Sequence, residues 1–352
     1  MSMTRRMLAL LLCMTVFFTA PAFAETAQET IPGWAEDSPA MASITAYVAA
    51  VTDAASPDYI APADRIAVFD FDGTLYGERF PTYFDTLLFL HRVLHDETCV
   101  SPEEVLSYAA AYETALANGE PEPDFPRSTA QMAAEAFKGF TIEEYRAYIR
   151  EFMGTPAQGF EGMTYGEAYF EPMVALVRYL TGHGFTVFIS SGSERALVRE
   201  LTEGALDEWI PPYRVIGSTF SLEATNQGSK AGRSYNFQPD DEVLLEGNLT
   251  VKNQKTNKVF SIVDEIGKVP VLVFGNSSGD LAMAEYCIQH GGRAYMLLCD
   301  DLDRDYGDLE TAEAFAAECV KTGCETVSMR DEFTTIYGEG VYLTEEALDP
   351  AA

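Results

Sequence analysis

The chain has 352 residues, of which 47% are hydrophobic and 22% charged, and its formal net charge is −32. This length allows one large domain with an insertion or two small domains, and the hydrophobic content excludes a disordered chain. So negative a chain argues against nucleic acids and anionic membranes as partners. The charge is compatible with a cationic small substrate, although a surface charged only for solubility is the simpler explanation.

The N-terminal sequence predicts a targeting signal rather than part of the fold. Arg5 and Arg6 precede an apolar run over 7–19 and the triplet AFA, which predicts a secretory signal peptide at residues 1–24 and a mature chain that begins at Glu25. The apolar run is shorter than the roughly 20 residues that a transmembrane helix needs. We therefore expect an exported protein, periplasmic or extracellular, with no integral membrane segment after cleavage. Its oligomeric state stays open.

Five cysteines follow the predicted cleavage site, and an odd number cannot pair completely. Their spacing does not suggest a zinc site. Cys319 and Cys324 could close a short loop in an oxidising compartment or remain thiols, and the sequence leaves both possibilities open.

The first part of the mature chain predicts a leading helix, a strand and a helical insertion. Residues 25–64 are polar except for one apolar stretch, which predicts an N-terminal extension with one helix. The apolar run at 66–69 is typical of a buried central strand. Over residues 80–154, apolar residues recur at helical spacing between breaks that contain Pro or Gly, which predicts a block of about four helices.

The rest of the chain alternates helical and strand patterns. This alternation predicts an α/β fold with a doubly wound parallel sheet formed by residues 65–79 and 155–352, with a β-hairpin excursion at 213–256. No role is predicted for residues 300–352. Such sheets bind ligands at the carboxyl ends of their strands. The polar clusters DFDGT, SSGS and GNSSGD all lie at such ends.

The first cluster contains two carboxylates at the end of the central strand. Asp70 and Asp72 can point to the same side, and Gly73 and Thr74 supply a sharp turn and a hydroxyl. Two close carboxylates are costly unless one is protonated or a cation lies between them. Either arrangement would serve catalysis, whereas a lone pair of this kind could also be a simple turn cap.

The second cluster predicts a phosphate-binding helix start. Ser191 ends a strand, and we expect Gly192 and Ser193 to open the following helix, where free N–H groups and the helix dipole favour phosphate oxygens. The alternative is an ordinary serine N-cap.

The remaining candidates are a lysine and two oxygen ligands. Lys258 lies in the first turn of a predicted amphipathic helix, where a positive charge is unfavourable because it opposes the helix dipole. Neutralising a phosphoryl group beside Asp70 would explain this position. The alternative is a solvated surface lysine. Asp280 follows an apolar strand and is a hard ligand suited to Mg²⁺. Asn276 could coordinate the ion through its carbonyl or orient a metal-bound water.

Together, residues 70–74, Ser191, Lys258 and Asp280 resemble the motifs of the haloacid dehalogenase superfamily, in particular its phosphatase branch related to phosphoserine phosphatases. The resemblance spans roughly residues 65–300 and implies a Rossmann-like core. It also implies that the helical block is a cap domain over the active site. One departure is Asn276, which stands where many members carry an aspartate and affects the expected metal affinity.

The resemblance implies a Mg²⁺-dependent phosphomonoesterase that acts on a small phosphorylated metabolite, and the predicted signal peptide implies that this enzyme is exported. It assigns the nucleophile to Asp70, and the general acid and base to Asp72. Glu78 and Arg79 could contact the end of the substrate opposite the phosphate, or could simply be a helix-start acid and an exposed base. The implied sets are catalytic residues Asp70, Asp72, Ser191 and Lys258, substrate contacts Thr74, Gly192, Glu78 and Arg79, and metal contacts Asp70, Asp72, Asn276 and Asp280.

Three alternatives remain open at this stage. A dehalogenase would retain Asp70 but has no need of an acid at position 72. A phosphomutase uses the same pair of aspartates, although export would separate it from sugar phosphates. A secreted binding protein could keep the fold without catalysis.

Overall fold

The computed structural model describes residues 30–348, so the predicted signal peptide lies outside the described residues. The strands follow one another as β1 (Ile66–Phe69), β2 (Phe160–Glu161), β3 (Thr186–Glu194), β4 (Val215–Ala224), β5 (Val243–Val251), β6 (Leu272–Gly275), β7 (Arg293–Leu298), β8 (Glu325–Ser328) and β9 (Tyr342–Leu343). The helices are α1 (Pro39–Thr52), α2 (Phe84–Leu94), α3 (Glu103–Ala117), α4 (Thr129–Ala136), α5 (Ile142–Met153), α6 (Glu171–Gly182), α7 (Arg195–Thr202), α8 (Thr256–Ser261), α9 (Leu281–Gln289), α10 (Leu309–Thr322), α11 (Met329–Glu332) and α12 (Glu345–Leu348).

Seven strands form the main sheet, in the order β5-β4-β3-β1-β6-β7-β8. All neighbours pair in parallel except β4 and β5, which form an antiparallel hairpin at one edge. The hairpin predicted at 213–256 thus extends this sheet. β2 and β9 form a separate antiparallel pair. The sheet and its flanking helices confirm the predicted doubly wound α/β fold.

Alternate residues of β1 show how helices cover both faces of the sheet. Ala67 and Phe69 belong to a buried cluster that includes residues of α1 and α6, whereas Ile66 and Val68 belong to a second cluster with residues of α9 and α10. All four side chains are at most 4% exposed. Because successive side chains of a strand point to opposite faces, a strand buried on both sides reads as one continuous apolar run.

Helices α2–α5 lie between β1 and β3, and we call residues 80–154 the cap. Side chains of α2, α3 and α4 pack into a buried cluster of their own. The cap is bound to the core at the edge hairpin, where Gly139 N donates to Leu245 O and Leu245 N donates to Phe140 O, both at 2.8 Å. It is also held by Arg146 and Arg150 of α5, which donate to the buried carboxylate of Glu200 in α7.

The C-terminal region completes the core. β8 adds the last parallel strand to the sheet, and Phe333 bridges to Trp34 near the start of the described chain. Within residues 30–348, all five cysteines, including Cys319 and Cys324, are free thiols. The same part of the chain has no helix that is both long and apolar enough to cross a membrane.

Candidate active site

The carboxyl ends of β1 and β6 meet beside a cavity of about 290 Å³. Asp70 follows β1 directly, and its backbone N donates to Phe274 O of β6 at 2.9 Å, so sheet register sets its position. Of the residues predicted from sequence, the cavity is lined by Asp70, Asp72, Glu78, Gly192, Lys258, Asn276 and Asp280.

Gly73 permits the turn that directly follows Asp72. Its φ is +72°, a conformation that favours glycine. A Cβ atom at this position would lie 2.0 Å from Nδ2 of Asn276. Glycine is therefore required both by the backbone and by the close approach of Asn276.

Lys258 is buried between two carboxylates. Its Nζ donates to Asp70 Oδ1 at 2.6 Å and to Asp280 Oδ1 at 2.5 Å, and the lysine is 2% exposed. Burial alone would lower the pKa of Lys258, but Asp280 and Asp70 outweigh it and raise that pKa. Burial and the negative charge of Asp280 raise the pKa of Asp70, and Lys258 opposes that rise. The position of Lys258 in the first helical turn thus has an electrostatic reason: it offsets two buried negative charges.

Asp280 has a second function in the loop after β6. Its Oδ2 accepts from the backbone N–H groups of Asn276 and Ser277, each at 3.1 Å. One carboxylate therefore holds the loop closed and contacts Lys258 with its other oxygen. The Asn276 side chain is in turn 3.4 Å from the hydroxyl of Thr74.

Asp72 faces two serines in the last part of β3. Ser193 Oγ donates to Asp72 Oδ2 at 2.8 Å, whereas Ser191 Oγ lies 3.4 Å from the same oxygen. Burial and the nearby carboxylate of Asp85 raise the pKa of Asp72 to about 7, although the Ser193 hydrogen bond opposes this rise. A substantial fraction of Asp72 is therefore protonated at neutral pH.

The predicted helix start at Gly192 and Ser193 is wrong. β3 continues to Glu194, which caps α7 by accepting from Leu197 N at 2.9 Å. The segment stays extended because the backbone carbonyl groups of Ser191 and Gly192 accept hydrogen bonds from neighbouring elements. Asn253 Nδ2 donates to Ser191 O, and Ser218 Oγ donates to Gly192 O.

Residues 67–285, more than half of the chain, match the family model of the haloacid dehalogenase-like hydrolases. The chain belongs to this family. A comparison with curated proteins gives no match.

Solved structures that resemble this hydrolase share little sequence with it. A conserved protein of unknown function from Anaerococcus prevotii has 14% identity and a TM-score of 0.48 over 82% of this chain and 91% of its own. Cytosolic 5′-nucleotidase IIIB bound to cytidine has 14% identity and a TM-score of 0.47 over 83% and 87%. A phosphoserine phosphohydrolase-like protein from Francisella tularensis has 15% identity and a TM-score of 0.37 over 66% and 87%.

The donor set of this hydrolase suits a hard cation. Asp70, Asp72 and Asn276 offer carboxylate and amide oxygens, the ligands that Mg²⁺ prefers. The cavity also contains six carboxylates but two lysines, and this excess of negative charge favours a bound cation. Across residues 30–348, no group of three or more His, Cys, Asp or Glu side chains is already arranged to hold a metal. In this structure Lys258 Nζ occupies the space between Asp70 and Asp280.

Two of the predicted substrate contacts, Thr74 and Arg79, do not line the cavity, whereas Glu78 lines it and has hydrogen-bond partners in the protein. Thr74 is fully buried and does not line the cavity. The Glu78 carboxylate accepts from Tyr83 OH at 2.6 Å and from Asn276 Nδ2 at 3.1 Å, so it connects the start of the cap to the loop after β6. Arg79 lines a neighbouring cavity instead. Ser191, a predicted catalytic residue, is also buried and does not line the cavity, although its Oγ accepts from Ser193 N.

The structure adds site residues that were not predicted. Ser193 and Lys252 line the cavity from the core, and Tyr83 and Asp85 line it from the cap. The third serine of SSGS and the lysines around Lys258 were visible signals for the first two residues. The two cap residues had no such signal, because only the docking of the cap brings them to the aspartates.

Proposed function

We propose that this hydrolase is an exported, Mg²⁺-dependent phosphomonoesterase that acts through an aspartyl-phosphate on Asp70. The observation that carries the proposal is the contact of Lys258 Nζ with both Asp70 and Asp280 at the floor of a cavity that also contains Asp72. This arrangement offers a nucleophilic carboxylate, a cation for the phosphoryl oxygens and a second carboxyl group with a raised pKa.

In the first half-reaction, a carboxylate oxygen of Asp70 attacks phosphorus. The bond between phosphorus and the ester oxygen breaks, and the leaving alkoxide takes the proton held by Asp72. The products are a free alcohol, a phosphoryl group on Asp70 and an ionised Asp72. Lys258 offsets negative charge on the phosphoryl oxygens, and such positioning with charge stabilisation accounts for most of catalysis in phosphoryl transfer.

In the second half-reaction, Asp72 acts in the opposite sense. Its carboxylate takes a proton from water while the water oxygen attacks phosphorus. The bond between phosphorus and Asp70 then breaks, which releases inorganic phosphate and restores the protonated Asp72. The raised pKa of Asp72, about 7, suits a group that must donate and accept a proton near neutral pH.

The residues that would hold Mg²⁺ are Asp70, Asp72, Asn276 and Asp280, all of which line the cavity. When bound, the ion supplies positive charge for the phosphoryl oxygens. The chain's own contribution is to keep these oxygen ligands close together and to hold Asn276 through Glu78.

The test of the proposed activity is hydrolysis of p-nitrophenyl phosphate with and without Mg²⁺, in wild type and in Asp70→Asn. We expect Asp70→Asn to abolish turnover while the protein still folds and unfolds in one cooperative thermal transition, because the amide is a poor nucleophile of nearly the same size. The same substitution at exposed Asp58, outside the cavity, is the matched control. Wild-type turnover in Asp70→Asn would refute the mechanism.

Export is tested separately, by cell fractionation and N-terminal sequencing of the protein expressed with its leader. We expect a mature chain that begins at Glu25 outside the cytoplasm, because residues 1–24 have the pattern of a secretory signal. An uncleaved chain in the cytoplasm would contradict this part of the proposal.

A further inference from the structure

The cavity has two ends of different origin. Asp70 and Lys258, from the core, define the end where the phosphoryl group would react. The other wall comes from the cap, and a leaving group attached to that phosphate would lie against it. The cap residues that line the cavity include Tyr83, Asp85, Tyr112, Glu122, Ser128 and Thr129. This wall contains hydroxyl groups, two carboxylates and no basic side chain.

Negative charge would remain in excess in the cavity even with a substrate and a metal ion bound. Six carboxylates face two lysines, and both lysines already have partners in the core. Lys258 contacts Asp70 and Asp280, and Lys252 Nζ donates to Gly192 O at 2.9 Å. A phosphate dianion and a divalent cation would cancel each other's formal charge. The excess of negative charge therefore remains, and it would act on the leaving group.

Asp85 is the carboxylate of the cap wall with the weakest internal contacts. It lies in the first turn of α2, and its oxygens are 3.4 Å from the hydroxyls of Thr86 and Ser193. Among the described residues it has no ion pair within 4 Å. By contrast, Glu122 accepts short hydrogen bonds from Tyr108 and Thr129, both at 2.5 Å. Asp85 therefore retains the most capacity to bind a ligand.

Aromatic rings lie in the same wall as Asp85. Tyr83 and Tyr112 both line the cavity, and Tyr112 is 6% exposed while Tyr83 is 42% exposed. The face of a tyrosine ring attracts a cation within about 6 Å. A carboxylate beside two tyrosines favours an ammonium group over a neutral or anionic one.

We propose that the leaving group of the substrate carries a positively charged ammonium group and that Asp85 selects it; this inference rests on the phosphomonoesterase function proposed above. The substrate class is the phosphate monoesters of short amino alcohols. The cavity volume of about 290 Å³ agrees with a small substrate, since it lies at the lower end of ligand pockets.

The test compares three phosphate monoesters of similar size whose leaving groups differ in charge: phosphoethanolamine (cationic), propyl phosphate (neutral) and phosphoglycolate (anionic). We expect kcat/KM of the wild type to be about fivefold higher for phosphoethanolamine than for propyl phosphate, as for one partly exposed ion pair of about 1 kcal/mol. Phosphoglycolate should be the poorest substrate. This series needs no variant.

Variants then assign the preference to one residue. Asp85→Asn should reduce the ratio of kcat/KM for phosphoethanolamine to that for propyl phosphate about fivefold, whereas Asp85→Glu should retain most of it. Asp124→Asn, an exposed cap residue that does not line the cavity, is the matched control and should keep the wild-type ratio.

The outcomes separate this inference from the function on which it rests. Hydrolysis of all three esters without charge preference, or an unchanged ratio in Asp85→Asn, would overturn the role of Asp85 and leave the phosphatase proposal standing. If the wild type hydrolyses none of them and no p-nitrophenyl phosphate either, both proposals are wrong.

Discussion

Replacement of Lys258 by methionine should destabilise the protein as well as inactivate it. The side chains of Lys258, Asp70 and Asp280 are 2%, 10% and 1% exposed, so the loss of the ammonium would leave two buried carboxylates facing each other. Removal of one partner from a buried ion pair costs about 3–5 kcal/mol. We expect a loss of this size in the free energy of unfolding near pH 7.5, with hydrolysis of phosphate esters abolished.

A double variant distinguishes electrostatics from a packing defect. Lys258→Met combined with Asp280→Asn removes the cation together with one of the two charges that it offsets. The double variant should therefore lose at least about 1.5 kcal/mol less than the sum of the two single variants. Urea unfolding in the presence of EDTA measures these free energies without a contribution from bound metal.

Two results would refute this reasoning. One is a single variant Lys258→Met whose unfolding free energy stays within about 1 kcal/mol of the wild type, since a buried, uncompensated charge pair should cost more. The other is strict additivity of the two substitutions, which would mean that Lys258 and Asp280 stabilise the fold independently.

Two further predictions concern a glycine and a buried acid. Gly73→Ala should destabilise the protein by about 1–3 kcal/mol in thermal unfolding and lower kcat/KM for p-nitrophenyl phosphate, because the new Cβ would displace Asn276; wild-type values for both would contradict the geometry. Burial raises the pKa of Asp305 from 3.8 to about 7, so its neutral form contributes stability that is fully present below about pH 4 and is lost as the pH rises through 7. The side chain introduced by Asp305→Asn cannot ionise. Between pH 4 and 7, the unfolding free energy of the wild type should therefore fall more steeply than that of the variant, and the two slopes should differ by up to about 1.4 kcal/mol per pH unit. Urea titrations at a series of pH values measure both slopes. Parallel curves for the two proteins would show that Asp305 does not titrate in this way.

Much of the core was predictable because its patterns are local. A strand buried on both faces reads as an apolar run, and the residues immediately after β1 show the turn directly. The helix start expected at Gly192 was wrong because the extended conformation there depends on hydrogen bonds from Asn253 and Ser218, which are distant in sequence. Arg79 was another case: its neighbour Glu78 faces the aspartates, but Arg79 lines a different cavity.

The fold class and the candidate residues Asp70, Lys258 and Asp280 follow from the sequence, since periodicity and short motifs involve residues close together in the chain. Their contacts do not: Lys258 and Asp70 are 188 positions apart, and their 2.6 Å contact depends on the pairing of β1 with β6 and the packing of α8. The residues of the cap that line the cavity could not be predicted from the sequence at all. In the sequence Asp85 is an ordinary helix-start acid. Only the docking of the cap brings it near Asp72, with Ser193 Oγ within 3.4 Å of both carboxylates, where it can act on a substrate.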